Sequence, residues 1–133
     1  MPKELKETDF SIRNSSIPGV GLGLYAISAI KVGDTIGKYK GMHLTDEQAN
    51  GEPYVHSRYL VWVCKDCYID GSRGGNYTRF VNHSKTPNCE LVTSSRWKSA
   101  RIRAIKDIQA GEELFFDYGD EYWEIIGEKV LSV

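Results

Sequence analysis

The amino-acid sequence predicts a single, mainly β domain built from short strands, and three observations carry that expectation. Its 133 residues suffice for one hydrophobic core and are too few for a second. Its 13 glycines cut the chain into short segments, which favours turns over long helices. The runs between them are rich in β-branched and aromatic residues, and only one stretch carries a good helix start.

Taken in order, residues 1–8 are polar and charged, so flexibility is expected up to about residue 9, with a first short strand over 9–13. Residues 14–23 read as a loop. Strands follow over 24–27 and 35–39, separated by the turn Lys31-Val32-Gly33-Asp34. Thr45 and Gln48 form a capping-box pair, so residues 46–50 are expected to make one or two helical turns before Gly51 and Pro53 stop them. Residues 59–63 and 68–70 flank a short polar segment, which signals a hairpin. A further strand pair is expected beyond it. Residues 101–105 alternate polar and apolar side chains as a half-exposed strand does, and the turn 108–111 leads into a last strand over 114–116. There are no repeats or linkers, so residues 1–133 are expected to form one domain.

Composition narrows the function classes. A net charge of -1 and a pI near 6.3 provide no overall basic field, so direct nucleic-acid contact is not expected. No run approaches the roughly 20 apolar residues that span a bilayer, and the amino terminus lacks the apolar stretch of a secretory signal. An intracellular protein without membrane contact is expected: nuclear if eukaryotic, cytoplasmic or nucleoid-associated if microbial. The 3 cysteines, Cys64, Cys67 and Cys89, are too few for a disulfide framework and fit a reducing compartment. Cys64-Lys65-Asp66-Cys67 has half of a zinc-site spacing, but no second pair completes it; a cross-strand neighbour pair is expected, and no metal site.

Three segments stand out chemically. Gly19-Val20-Gly21-Leu22-Gly23-Leu24 is glycine-rich, but a dinucleotide turn needs a helix after it and here a β-like run follows. Gly75-Asn76-Tyr77-Thr78-Arg79-Phe80-Val81-Asn82-His83-Ser84-Lys85-Thr86-Pro87-Asn88-Cys89 places a polar, turn-prone stretch directly after apolar Phe80-Val81, where side chains and backbone can be presented at the edge of a core. Gly111-Glu112-Glu113-Leu114-Phe115-Phe116-Asp117-Tyr118-Gly119 ends in a tyrosine beside a strand end. A hydroxyl there can aim the lone pair of an amine, although a strand tyrosine packed in the core is the plainer reading of the residue alone.

Together the last two segments resemble the signature motifs of the SET-domain protein lysine methyltransferases, and Gly21-Leu22-Gly23-Leu24-Tyr25-Ala26 resembles that family's amino-terminal Gly-x-Gly-hydrophobic-x-Ala motif. The resemblance covers about residues 21–123. It implies the SET fold, several small sheets of short strands with few short helices and a pseudoknot-like crossing of the two long motifs. It also implies methyl transfer from S-adenosyl-L-methionine to a lysine amine. By that analogy Gly21, Leu22, Gly23 and Leu24 lie against the cofactor's methionine end, Asn82 and His83 meet its amino-acid and adenine ends, and Arg79, Phe80 and Tyr59 shape the wall. Tyr118 is the catalytic residue and also touches the cofactor. Tyr39, Tyr59, Phe116 and Tyr118 line the substrate-lysine channel, and Phe116, where the family carries Phe or Tyr, implies room for di- or trimethylation. Trp123 either covers the adenine, caps the channel or packs on the sheet.

The chain departs from zinc-dependent relatives at Lys85, where they carry cysteine, and no cysteine follows Cys89. The tail 120–133 or a second subunit is then expected to close the channel, and a chain this small suits a homodimer. Glu112, Glu113, Asp117, Asp120, Glu121 and Glu124 make the carboxy-terminal region acidic, either as a solvated face or as an attraction for a basic substrate. Histone tails or other basic DNA-packaging proteins presenting a lysine fit that reading. The alternative is a SET-like binding module that holds cofactor or a lysine peptide without turnover.

Overall fold

Extended runs separated by glycine turns pair into three small sheets in a computed structural model of the protein, which describes residues 2–117. In chain order the strands are β1 (Phe10–Asn14), β2 (Leu22–Ala26), β3 (Thr35–Lys38), β4 (Met42–Leu44), β5 (Leu60–Cys64), β6 (Cys67–Asp70), β7 (Asn82–His83), β8 (Cys89–Ser94), β9 (Ser99–Ala104) and β10 (Phe115–Phe116). Helix α1 (Asp46–Ala49) is one turn long, and the other helical segments among the described residues are 3-10 turns. The capping box forms: Gln48 N donates to Thr45 Oγ1 at 3.2 Å and Thr45 N donates to Gln48 Oε1 at 2.9 Å. No helix of the described residues is long and apolar enough to cross a membrane.

β1 and β2 form an antiparallel pair, β4, β6 and β5 a second sheet in that order, and β3, β9, β8, β10 and β7 a third. All three contribute to one core. Leu24, Ile36, Val63, Ile69, Val81, Ile102, Leu114 and Phe116 are buried together in it. β9 shows how sequence pattern becomes packing: Ala100, Ile102 and Ala104 point inward while Arg101 is exposed.

The crossing implied by the two long motifs is a matter of strand order. β10 lies between β7 and β8 and runs parallel to both, with Phe115 opposite Asn82 and Phe116 opposite His83 and Cys89. The connection 84–88 therefore has to straddle β10. Asn88 closes the straddle by acting as a piece of backbone: its Nδ2 donates to Glu113 O at 2.9 Å and its Oδ1 accepts from Phe115 N at 2.8 Å. Ser84 N donates to Phe116 O at 3.2 Å on the other side.

Three expectations need correction. Residues 3–5 are not frayed, because Leu5 N donates to Thr35 O at 2.9 Å, Thr35 N to Lys3 O at 2.8 Å and Lys3 N to Asp34 Oδ1 at 2.9 Å, which extends the large sheet beyond β3. Leu22 and Gly23 belong to β2 because they pair with Asn14 and Arg13. β4 was not anticipated; three residues are too few to show alternation, and pairing with β6 alone makes them a strand. Cys64 and Cys67 face each other across the β5–β6 turn, as expected.

Replacing Asn88 should loosen this arrangement without removing a core side chain. Asn88→Ala leaves two buried peptide groups unpaired and is expected to lower the unfolding free energy by about 2–4 kcal/mol, measured by urea titration.

Candidate active site

The buried carboxylate of Glu113 is the point where the three chemical segments meet. It is 8% exposed. Its Oε2 accepts from Ser15 Oγ at 2.6 Å and from Asn82 Nδ2 at 3.4 Å; its Oε1 accepts from Ser16 N at 2.9 Å and Ser16 Oγ at 2.8 Å. The Tyr25 hydroxyl, which donates to Asn14 O at 2.6 Å, also lies 3.2 Å from Oε1. Burial alone would raise the Glu113 carboxyl, but the donors from Ser15, Ser16 and Asn82 outweigh it and hold the group below its ordinary value. Glu113 thus does not contribute to a solvated acidic face, as the sequence suggested; among its acidic neighbours Glu112 is exposed and accepts from Gln109 N at 2.8 Å.

Asn82 links the glycine-rich segment to the long motif. Its Nδ2 donates to Leu22 O at 3.0 Å, from β7 to the start of β2. Gly23 has to be glycine here, since a Cβ would overlap the Glu113 carboxylate. Gly21 has φ +86° and nothing within 4 Å of where a Cβ would stand, so the backbone at the entry to β2 is uncovered. Leu24, by contrast, is wholly buried in the core.

A second cluster adjoins the first through the 3-10 turn Tyr77–Phe80, which packs against β2. The Arg79 guanidinium lies 4.8 Å from the Phe80 ring centroid and 5.9 Å from that of Tyr59. Tyr39 is buried, and its hydroxyl donates to Tyr59 O at 2.7 Å. Arg79 Nε is the one buried side-chain nitrogen or oxygen among the described residues with no hydrogen-bond partner. A buried donor left unpaired is a place where a ligand acceptor would be favoured.

His83, half-buried on β7, has Nδ1 3.6 Å from Asp117 Oδ1, and Lys85 Nζ lies 3.7 Å from the same oxygen. Burial lowers the His83 pKa; Asp117 opposes this and Lys85 adds to it. The net lowering favours the neutral imidazole. Cys89, whose thiol burial pushes up to about 12, is no nucleophile. Phe116, expected in the lysine channel, is 2% exposed and packed in the core. Tyr118 and Trp123 lie outside the described residues.

Sequence reasoning did not assign Ser15, Ser16, Tyr25 or the carboxylate of Glu113 to this site. Their convergence spans nearly the whole described chain, and no local spacing signals it. Asn88 was legible as turn-prone but not as the strut beneath β10.

Comparison with known proteins places this geometry in a family. A SET domain family model matches residues 21–119, and the chain belongs to the SET-domain family. It is 37% identical over 106 residues to mouse histone-lysine N-methyltransferase NSD3, covering 74% of this chain and 7% of that protein. It is 35% identical over 104 residues to the Arabidopsis thaliana histone-lysine N-methyltransferase MEDEA, covering 74% of this chain and 15% of that protein. Among solved structures it resembles the Chaetomium thermophilum polycomb repressive complex 2, with TM-score 0.73, 27% identity and coverage of 87% of this chain and 16% of that one. It also resembles ctPRC2 in an autoinhibited conformation bound to S-adenosylmethionine, with TM-score 0.72, 27% identity and coverage of 92% and 16%. The chain thus spans a small fraction of the length of these relatives.

The Glu113 network makes acid stability a direct readout. A carboxyl held below its ordinary value stabilises the fold above that ordinary value, near 4.3, and the contribution disappears as pH falls through the lowered one. Glu113→Gln is expected to cost about 1.5–3 kcal/mol at pH 7 and to flatten the fall in stability below about pH 4, measured as melting temperature against pH.

Proposed function

We propose that the chain is an S-adenosyl-L-methionine-dependent protein lysine N-methyltransferase acting on a basic, lysine-presenting substrate such as a histone. The observation that carries this reading is the junction of Gly21–Leu24 with Asn82 through the Asn82–Leu22 hydrogen bond, both fastened by Glu113. Membership of the SET family and likeness to histone-lysine methyltransferases support the same activity.

The donor set fits the cofactor. Its amino-acid end needs hydrogen-bond donors for a carboxylate, and Arg79 Nε is buried with none of its capacity used. Nothing lies within 4 Å of where a Cβ at Gly21 would stand, which leaves room for a ligand beside the entry to β2. His83 follows Asn82 on β7 and is assigned to the same site. The cofactor, when bound, supplies an electrophilic methyl group on a sulfonium.

The protein's part is to present a neutral amine in line with that methyl. A lysine near pKa 10.4 in water is favoured in its uncharged form inside an apolar wall. Tyr39 and Tyr59, tied together by the 2.7 Å hydrogen bond, are assigned to that wall with Tyr118. Tyr118 is assigned to orient the amine lone pair through its hydroxyl rather than to act as a strong base. Phe116 brings no hydroxyl to the site, so no water or amine is held there by that residue, which favours more than one methyl per lysine. Closure by residues 120–133, a homodimer and a nuclear or nucleoid location belong to the same proposal.

The test is methyl transfer from labelled S-adenosylmethionine to histones, read by intact mass. Transfer in increments of up to three methyls is expected, and Tyr118→Phe should reduce the rate on the order of 10²-fold while leaving cofactor affinity nearly unchanged. A chain that binds cofactor but labels neither histones nor other basic proteins would overturn the enzymatic reading. Separately, Gly23→Ala is expected to weaken cofactor binding at least about tenfold by calorimetry, because the added methyl displaces the Glu113 carboxylate that holds the loop.

A further inference from the structure

A ligand-sized cleft of about 720 Å³ contains none of the residues assigned to the active site. It crosses β3, β9 and β8, between residues 4–7 on one side and the β8–β9 turn on the other. Strand geometry sets its charge. Lys38 and Lys40 are exposed on either side of buried Tyr39, so they share one face, and Arg101 sits opposite Lys38 on the neighbouring strand. Lys6 lines the cleft from the amino-terminal segment. Glu4 and Glu7 also line it, yet none of the four cations makes an ion pair among the described residues.

At the edge of the cleft stands Trp97. It is 71% exposed, more than any other large hydrophobic residue described. Its backbone N donates to Ser94 Oγ at 3.2 Å within the β8–β9 turn, and the Arg96 guanidinium lies 4.9 Å from the ring centroid. An indole held out in water beside a row of unpaired cations has no role in the core. The four cations outnumber Glu4 and Glu7 in the cleft, an excess that the chain's net charge of -1 hides.

We propose that this cleft docks single-stranded nucleic acid, with phosphates on Lys6, Lys38, Lys40 and Arg101 and a base stacked on Trp97. Cationic tracks joined to aromatic platforms bind single strands because every base has a π face and every link a charge. A duplex hides its base faces from an indole, and an acidic peptide matches the cations but leaves the indole unused. The surface is independent of methyl transfer and stands or falls without it.

The experiment is fluorescence anisotropy of the full chain with a labelled oligothymidylate of about 20 nucleotides, over a series of salt concentrations. Binding is expected with a slope of log K against log salt near -3, from about four phosphate contacts at roughly 0.7 each. The triple variant Lys38→Ala, Lys40→Ala, Arg101→Ala should bring the slope to about -1. Trp97→Ala should weaken binding about 5- to 150-fold and leave the slope unchanged. These side chains are exposed, and unchanged thermal melts would establish that the variants fold. No binding at low salt, tighter binding of duplex DNA or polyglutamate than of the oligothymidylate, or full affinity in Trp97→Ala would each overturn the proposal.

Discussion

A carboxylate withdrawn from water has to be bonded on all sides or protonated, and Glu113 meets that constraint with donors drawn from two distant parts of the chain. Ser15 and Ser16 come from the loop between β1 and β2, and Asn82 comes from β7. The loop's path is therefore dictated by an acid almost a hundred residues away. Gly23 completes the fit by having no side chain where the carboxylate lies. What looks like a flexible glycine loop is in fact fastened by side chains distant in sequence, so its backbone path is set without a ligand.

The same economy of parts appears at Asn88. One side chain satisfies two peptide groups flanking Leu114, so β10 can sit as a strand of two residues between β7 and β8. Short parallel strands hold poorly by their own ladders, and this one is secured from the sides by Asn88 and Ser84. The β7–β10–β8 region is thus assembled from polar struts around a buried Phe116, while the sheet region at β3, β9 and β8 presents cations without ion pairs among the described residues and an exposed indole. The two regions differ in charge and in chemistry, which a near-neutral total conceals.

Much of this was legible in the sequence, but unevenly. The strands β3, β5, β6 and β9 follow from β-branched runs between turns, and α1 from the Thr45–Gln48 pair, because these signals are local. The site segments were legible through motif resemblance, which placed Asn82 and the Gly21–Leu24 run in one site; the structure brings them into contact. Other features were hidden for physical reasons. Glu113 reads as a surface acid because its neighbours Glu112 and Asp117 are acidic, and only the arrival of Ser15 and Ser16 makes its burial tolerable. β4 and the pairing of residues 3–5 with Thr35 depend on partners distant in sequence. Phe116 reads as a channel residue by analogy, and its ring is packed in the core.

The position of β10 has a consequence for how the molecule is made. A strand that fills the gap between two earlier strands cannot be added to a finished sheet edge; it has to be present before the sheet can close. During synthesis from the amino terminus, β7 and β8 emerge without the element that joins them, and Asn88 has no peptide groups to bind until residues 113–115 are outside the ribosome. The part of the domain that precedes residue 113 must then persist with an open slot lined by unpaired backbone, a state suited to chaperone capture and exposed to edge-to-edge association. Completion of the fold and fastening of the loop between β1 and β2 coincide, because the segment that carries β10 also carries Glu113.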